Sequence, residues 1–146
     1  MYERILICTD GSALSQTAEH SGILLAAALD AEVVAYTVVR QQPHWNFDAG
    51  VAMTPAEMDL FENEQSQAAQ SIVDAVQEAA RKRDVKTVAV TGRGAVAESI
   101  IRAAKKYHCD LIVMASHGRK GMQRMLLGSE TMDVLTHSHI PVLVLR

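Results

Sequence analysis

Aromatic side chains are scarce, at 4% of the 146 residues against 49% hydrophobic residues of all kinds. A core built from this chain must therefore rest on Ala, Val, Leu, Ile and the seven Met. That composition suits helices packed on a buried sheet better than an aromatic-rich sandwich. Cysteine is equally sparse: Cys8 and Cys109 lie in apolar runs. Two cysteines form no disulfide framework, and the reading is of two reduced thiols in the sheet. Basic residues are not in excess, with 14 Lys and Arg against 17 Asp and Glu and a net charge of −3. A nucleic-acid binder shows a basic surplus or stripe, so that class is excluded. The longest apolar run, Ile23 to Leu29, is far short of the ~20 residues of a membrane span. No secretory hydrophobic segment follows Met1-Tyr2-Glu3-Arg4, and the expectation is a cytoplasmic protein with no membrane partner. No Gly-Lys-Ser or Gly-Lys-Thr occurs, which removes a Walker A loop.

What is present is a regular alternation. Ile5-Leu6-Ile7-Cys8 is a short buried strand, and Thr9-Asp10-Gly11-Ser12 is the turn after it. Ser12 suits the cap of a helix whose apolar stripe is Leu14, Ala18, Gly22, Leu25 and Leu29. Glu32 to Val39 is a valine-rich second strand, and residues 40–53, which include the sole Trp45, show no period. Such a long loop is often functional, folding over a ligand or touching a partner; a plain surface segment is the alternative. Thr54-Pro55-Ala56-Glu57 combines a capping hydroxyl, a first-turn proline and a capping-box glutamate. The helix it opens has an expected inner face of Phe61, Ala68, Ile72, Val76 and Ala79. A third strand over Lys86 to Thr91 and a helix over Ala95 to Tyr107 follow. Leu111 to Ala115 is a wholly apolar fourth strand, Ser129 to about His137 a short helix, and Pro141 to Leu145 a fifth strand. Strands alternating with helices predict right-handed βαβ units and a parallel sheet covered on both faces, in one domain over 1–146. In such sheets ligands bind beyond the carboxyl ends of the strands, where strand order reverses.

The segment from Ala115 to Ser129 joins the fourth strand to the last helix. Gly118 frees the backbone to turn. Gly128-Ser129 opens a helix whose free N–H groups and positive dipole end favour a phosphate. Arg119, Lys120 and Arg124 add positive charge to the same loop. An ordinary glycine-rich strand-to-helix connection is the competing reading. His117, inside the segment, suits a structural or phosphate-contact role, with acid–base work as the alternative. Elsewhere, Gly92-Arg93-Gly94-Ala95-Val96-Ala97 resembles a dinucleotide fingerprint only weakly, since the acid that should follow, Asp110, precedes its strand and belongs at the opposite edge. His137 and His139 lack a third ligand for zinc. Nothing near Cys109 and His108 would lower the thiol pKa.

Ala115, Gly118, the nine-residue gap and Gly128-Ser129 resemble the nucleotide motif of the universal stress protein family: Gly, two residues, Gly, nine residues, Gly, then Ser or Thr. The first glycine is replaced here by Ala115, at the position that approaches the ribose. The likeness extends over the chain, through Asp10 at the end of the first strand and Ile140-Pro141-Val142-Leu143-Val144 at the close. It implies a Rossmann-like α/β fold of the adenine nucleotide alpha hydrolase-like type, a three-layer sandwich with five parallel strands in order 3-2-1-4-5 and four helices. It implies ATP, or ADP or AMP, as ligand, with Mg2+ held through the phosphates. Asp10 and the backbone of Val38 would line the adenine and ribose. Gly118, Arg119, Gly128, Ser129 and the N–H of Glu130 would face phosphate. It further implies a homodimer through the closing strand and a regulatory or protective stress-response role rather than an enzyme. Slow ATP hydrolysis and a nucleotide-free dimer acting by protein contacts are the alternatives.

Overall fold

The computed structural model describes residues 1–39, 45–46, 51–118 and 127–146, the side chains of 45, 46, 51 and 52 excepted. In chain order the elements are β1 (Arg4–Cys8), α1 (Ala13–Leu29), β2 (Glu32–Val38), β3 (Trp45–Asn46), β4 (Val51–Ala52), α2 (Pro55–Arg81), β5 (Thr87–Gly92), α3 (Val96–Lys106), β6 (Leu111–Ala115), α4 (Ser129–His137) and β7 (Val142–Leu145). The main sheet has five parallel strands in the order β5-β2-β1-β6-β7. Counting its strands in sequence gives 3-2-1-4-5, as expected. The expectation of an aperiodic stretch over 40–53 needs one correction: β3 and β4 pair antiparallel as a two-stranded ribbon. Runs of two residues are too short to display a period of two.

The pleat divides the central strands between two cores. Ile5, Ile7, Val33, Ala35, Leu111 and Val113 face α1 and α2. Leu6, Val34, Tyr36, Ile112 and Met114 face α3 and α4. Both faces are covered, which is why these strands read as unbroken apolar runs. Each Val, Leu or Ile so buried contributes about 1.5–3 kcal/mol.

The helices begin where the sequence says they should. Ser12 Oγ accepts the Ser15 N–H at 3.3 Å. At Thr54 both halves of the capping box form: the Glu57 N–H donates to Thr54 Oγ1 at 3.2 Å, and the Thr54 N–H donates to Glu57 Oε2 at 2.7 Å. The inner faces are turned slightly from expectation. In α1 the buried line is Ser15, Ala18, Gly22, Ile23 and Ala26, with Leu14, Leu25 and Leu29 at its margins. In α2 it is Ala69, Val73, Val76 and Ala80, while Ala68 and Ala79 are exposed. Adjacent alanines give no contrast by which to choose between faces, so the valines decide.

The amino edge of the sheet is pinned by charge. The Asp110 carboxylate accepts the N–H groups of Glu3 and Arg4 at 2.8 and 3.1 Å. Glu32 pairs with both Arg4 and Lys86. A groove of about 330 Å³ beside the start of β5 is lined by Asp74, Gln77, Glu78, Arg81, Val85 and Thr87. It belongs to the α2 seam and lies away from the carboxyl edge.

Candidate functional site

The carboxyl edge is assembled from three segments. The first is the turn after β1. Asp10 Oδ1 accepts the Ser12 N–H at 2.9 Å, which closes an Asx turn at the strand end. Gly11 sits at φ 77°, a conformation that favours glycine. The other carboxylate oxygen is turned toward Gly118. A Cβ built on Gly118 would lie 2.7 Å from Asp10 Oδ2, so a glycine lets the chain pass the carboxylate without displacing it. Two residues separated by most of the chain are thus brought together.

The second segment is the crossing from β6 to α4. Ala115 ends β6 and is buried. Its carbonyl accepts the Thr131 hydroxyl at 3.0 Å, and the Ser116 carbonyl accepts the same hydroxyl at 3.1 Å. The Gly128 N–H also donates to the Ser116 carbonyl, at 2.7 Å. A Cβ on Gly128 would meet that carbonyl oxygen at 3.1 Å and His117 Cα at 3.5 Å. Glycine here lets the start of α4 press against the end of β6. His117 is half-buried, with Nδ1 2.9 Å from Ser116 Oγ. Gly128 is the N-cap of α4 and offers no side chain. The first intrahelical bond runs from the Met132 N–H to the Gly128 carbonyl. Among the described residues no side chain caps the preceding N–H groups, so those of Ser129 and Glu130 point out of the helix end, where the dipole favours an anion. Both residues are exposed.

The third segment is the end of β2. Val38 is partly buried and pairs with Gly92, on the strand next to β1 and at the same edge. No hydrogen bond joins it to the Asp10 turn among the described residues. Arg119, with Lys120 and Arg124, lies outside the described residues.

Cys8, at the end of β1, feels this gathering of groups. Burial pushes its thiol up to about 12, and the charges of Asp10 and Glu130 push the same way. Cys109 is pushed up to about 11, again chiefly by burial, which accords with an inert thiol. Its neighbour His108 sits at φ 55° in the turn that ends α3. Among the described residues no cluster of His, Cys, Asp or Glu could hold a metal ion. No helix among them is long and apolar enough to cross a membrane.

Sequence reasoning did not single out Thr131, whose hydroxyl clasps β6 to α4. Nor did it find the buried hydroxyls Thr9 and Ser15 or their neighbour Glu19. The available signal was a pair of polar residues four apart, Ser15 and Glu19, beside the apolar line of α1.

The carboxyl edge thus gathers outward N–H groups at the start of α4, the Asp10 carboxylate, and glycines where side chains would intrude. The model of the universal stress protein family matches residues 1–146. A universal stress protein of Methanocaldococcus jannaschii, MJ0531, is 34% identical over 146 residues, covering all of this chain and 83% of that one. Among solved structures, UspA of Lactobacillus plantarum has a TM-score of 0.80 at 24% identity, covering 99% of this chain and 98% of that one. A universal stress protein in complex with cAMP gives 0.73 at 22%, over 99% and 97% of the two chains. A family protein from Arabidopsis thaliana with AMP bound gives 0.69 at 11%, over 98% and 90%. At these identities the structural likeness shows a shared fold.

Proposed function

Because the chain belongs to the universal stress protein family, we propose that its carboxyl edge binds an adenine nucleotide, with ATP the first candidate and ADP and AMP close behind. The observation that carries this is the convergence of Asp10 on Gly118 beside the uncapped start of α4. Phosphate would lie on the N–H groups of Gly128, Ser129 and Glu130, and Asp10 would accept from the ribose. The backbone of Val38 would border the base. The relatives solved with cAMP and AMP support an adenine ligand. Mg2+, which ATP ordinarily carries, would be held by the phosphates, since the described side chains offer no cluster for it.

The role proposed is regulatory or protective binding in a stress response, in the cytoplasm, rather than turnover. Phosphoryl transfer needs a positioned nucleophile as well as charge clamps, and among the described residues near the motif His117, tied to Ser116, is the one candidate to orient water. A homodimer through β7 is part of the proposal. β7 is an edge strand whose Leu143 is 36% exposed, and pairing with a second copy would cover it. A nucleotide-free dimer is the second reading. Ala115 favours it, because its methyl stands where the motif has glycine.

Heat-denaturing the freshly purified protein and chromatographing the supernatant tests the first reading. Stoichiometric adenine nucleotide is the expected result. An empty supernatant, with no heat on titrating ATP and magnesium, would leave the nucleotide-free dimer. Gly128→Ala, whose Cβ would crowd the Ser116 carbonyl at 3.1 Å, should weaken binding with the circular dichroism unchanged, and unaltered affinity would count against the α4 start as the phosphate site.

A further inference from the structure

Beneath the Asp10 turn three oxygen–oxygen contacts run in line. Glu19 Oε1 meets Thr9 Oγ1. Thr9 Oγ1 lies 3.0 Å from Ser15 Oγ, and Ser15 Oγ lies 2.9 Å from the Ser12 carbonyl. Thr9 and Ser15 are each 3% exposed, so bulk solvent does not reach either hydroxyl. Each contact needs one hydrogen. The two hydroxyls own one apiece and the carbonyl owns none. With Glu19 ionised, two hydrogens must serve three contacts, and one pair of buried oxygens faces lone pair to lone pair. With Glu19 protonated the chain closes in one direction: Glu19 donates to Thr9, Thr9 to Ser15, and Ser15 to Ser12. The Gly11 N–H, 3.1 Å from Thr9 Oγ1, then fills the last lone pair on that hydroxyl.

We propose that Glu19 supplies the missing hydrogen, and that this proton locks the Thr9–Ser12 turn that presents Asp10. Glu19 is then a positioning residue of the nucleotide site, a role that rests on the nucleotide reading above. Burial acts on the carboxyl in the same direction and raises it above its ordinary value; the Thr9 hydrogen bond partly opposes this, and the charge of Asp10 adds to it. Asp10, in the turn, is the charged group set against Glu19 among the described residues. Neutralising Glu19 also removes a negative charge from beneath a site for an anion. Nucleotide binding should therefore take up a proton and tighten toward acid pH.

The test begins on the nucleotide-free wild-type chain, following the Glu19 carboxyl carbon and the Thr9, Gly11 and Ser12 amides by NMR from about pH 8 to about pH 4. Glu19 should titrate above the ordinary glutamate value of about 4.3, and the three amides should shift with the same midpoint. In Glu19→Gln the amide N–H replaces the carboxyl hydrogen, so those amides should lose the transition that follows the Glu19 midpoint and keep no shift beyond that of Asp10 itself, which accepts the Ser12 N–H. ATP with magnesium is then titrated into both proteins at each pH. As pH falls through the midpoint, wild-type affinity should gain about two- to tenfold relative to the variant, a ratio that cancels the titration of ATP itself. Glu19 titrating at or below its ordinary value, or turn amides that ignore it, would overturn the proposal. Parallel pH profiles for wild type and variant would remove the positioning role while the nucleotide reading stands. Failure of ATP to bind either protein at any pH would instead sink the nucleotide reading and the positioning role with it, the carboxyl and amide titrations still deciding the proton.

Discussion

Replacing Gly118 with alanine separates the fold of the rim from its use. The new Cβ would lie 2.7 Å from Asp10 Oδ2, whereas ordinary contact begins near 3.4 Å, so the carboxylate must withdraw by about 0.7 Å. The obstacle is the end of a rotatable side chain, and Gly118 itself is exposed. The cost to folding should stay within about 1 kcal/mol. The cost to the site is larger. The two carboxylate oxygens move together, and Oδ1 holds the Ser12 N–H at 2.9 Å. A hydrogen bond to a charged group is worth about 1.5–3 kcal/mol, and a ligand hydroxyl on Asp10 draws on an interaction of that size. Losing it lowers affinity by about 10- to 100-fold. Calorimetric titration of ATP and magnesium into Gly118→Ala reads the loss, and a thermal melt reads the stability. Affinity within about twofold of wild type, with the Ser12 amide shifted by NMR, would show that Asp10 moves and does not matter to the ligand. A large fall in melting temperature would show that the carboxylate does not yield cheaply, and the separation of fold from site would fail.

Gly22→Ala should reverse the usual sign of a glycine-to-alanine change in a helix. The gain in propensity is about 1 kcal/mol, but the Cβ would meet Ile7 Cδ1 at 2.8 Å and Val113 Cγ1 at 3.3 Å. Overpacking costs about 1–3 kcal/mol, so urea denaturation should show a net loss. Glu32 is held below the usual glutamate range, first by its bond to Lys86 and then by that to Arg4. A depressed carboxylate stabilises above its unfolded pKa of about 4.3. The stability advantage of wild type over Glu32→Gln should be present at neutral pH and vanish as pH falls through the folded value, as urea midpoints along a pH series would show. Cys8 and Cys109, at about 12 and about 11, should resist a disulfide reagent at pH 8 until the chain is unfolded. Reaction of the native protein as fast as of free cysteine would contradict the raised thiols of both and the burial of Cys109.

The fold was legible because the central strands are buried on both sides. Ile5-Leu6-Ile7 and Leu111 to Met114 carry no polar residue, and no helix of that brevity ends at Asp10-Gly11 or Ser116. The capping box at Thr54 fixed the start of α2 to the residue. What failed was rotational: alanines at 68, 69, 79 and 80 are equally apolar, and only the sheet beneath selects among them. In the site, the spacing of Gly118 and Gly128 was visible because glycine marks close approach. Thr131 and the Thr9–Ser15–Glu19 chain were not, since a hydroxyl shows its partners only after β1, α1, β6 and α4 have met.

Ser116 is bonded on both sides. Its N–H donates to the Leu145 carbonyl at 2.7 Å, and its own carbonyl receives the Gly128 N–H and the Thr131 hydroxyl. The last residue of the edge strand and the first turn of α4 are therefore expected to open together rather than one at a time. Amide exchange at Ser116 and Gly128 should report a single opening event, with matched protection and matched sensitivity to denaturant. Any contact that quiets the fraying of β7 would then slow the opening of the α4 end as well, though nothing touches that end directly.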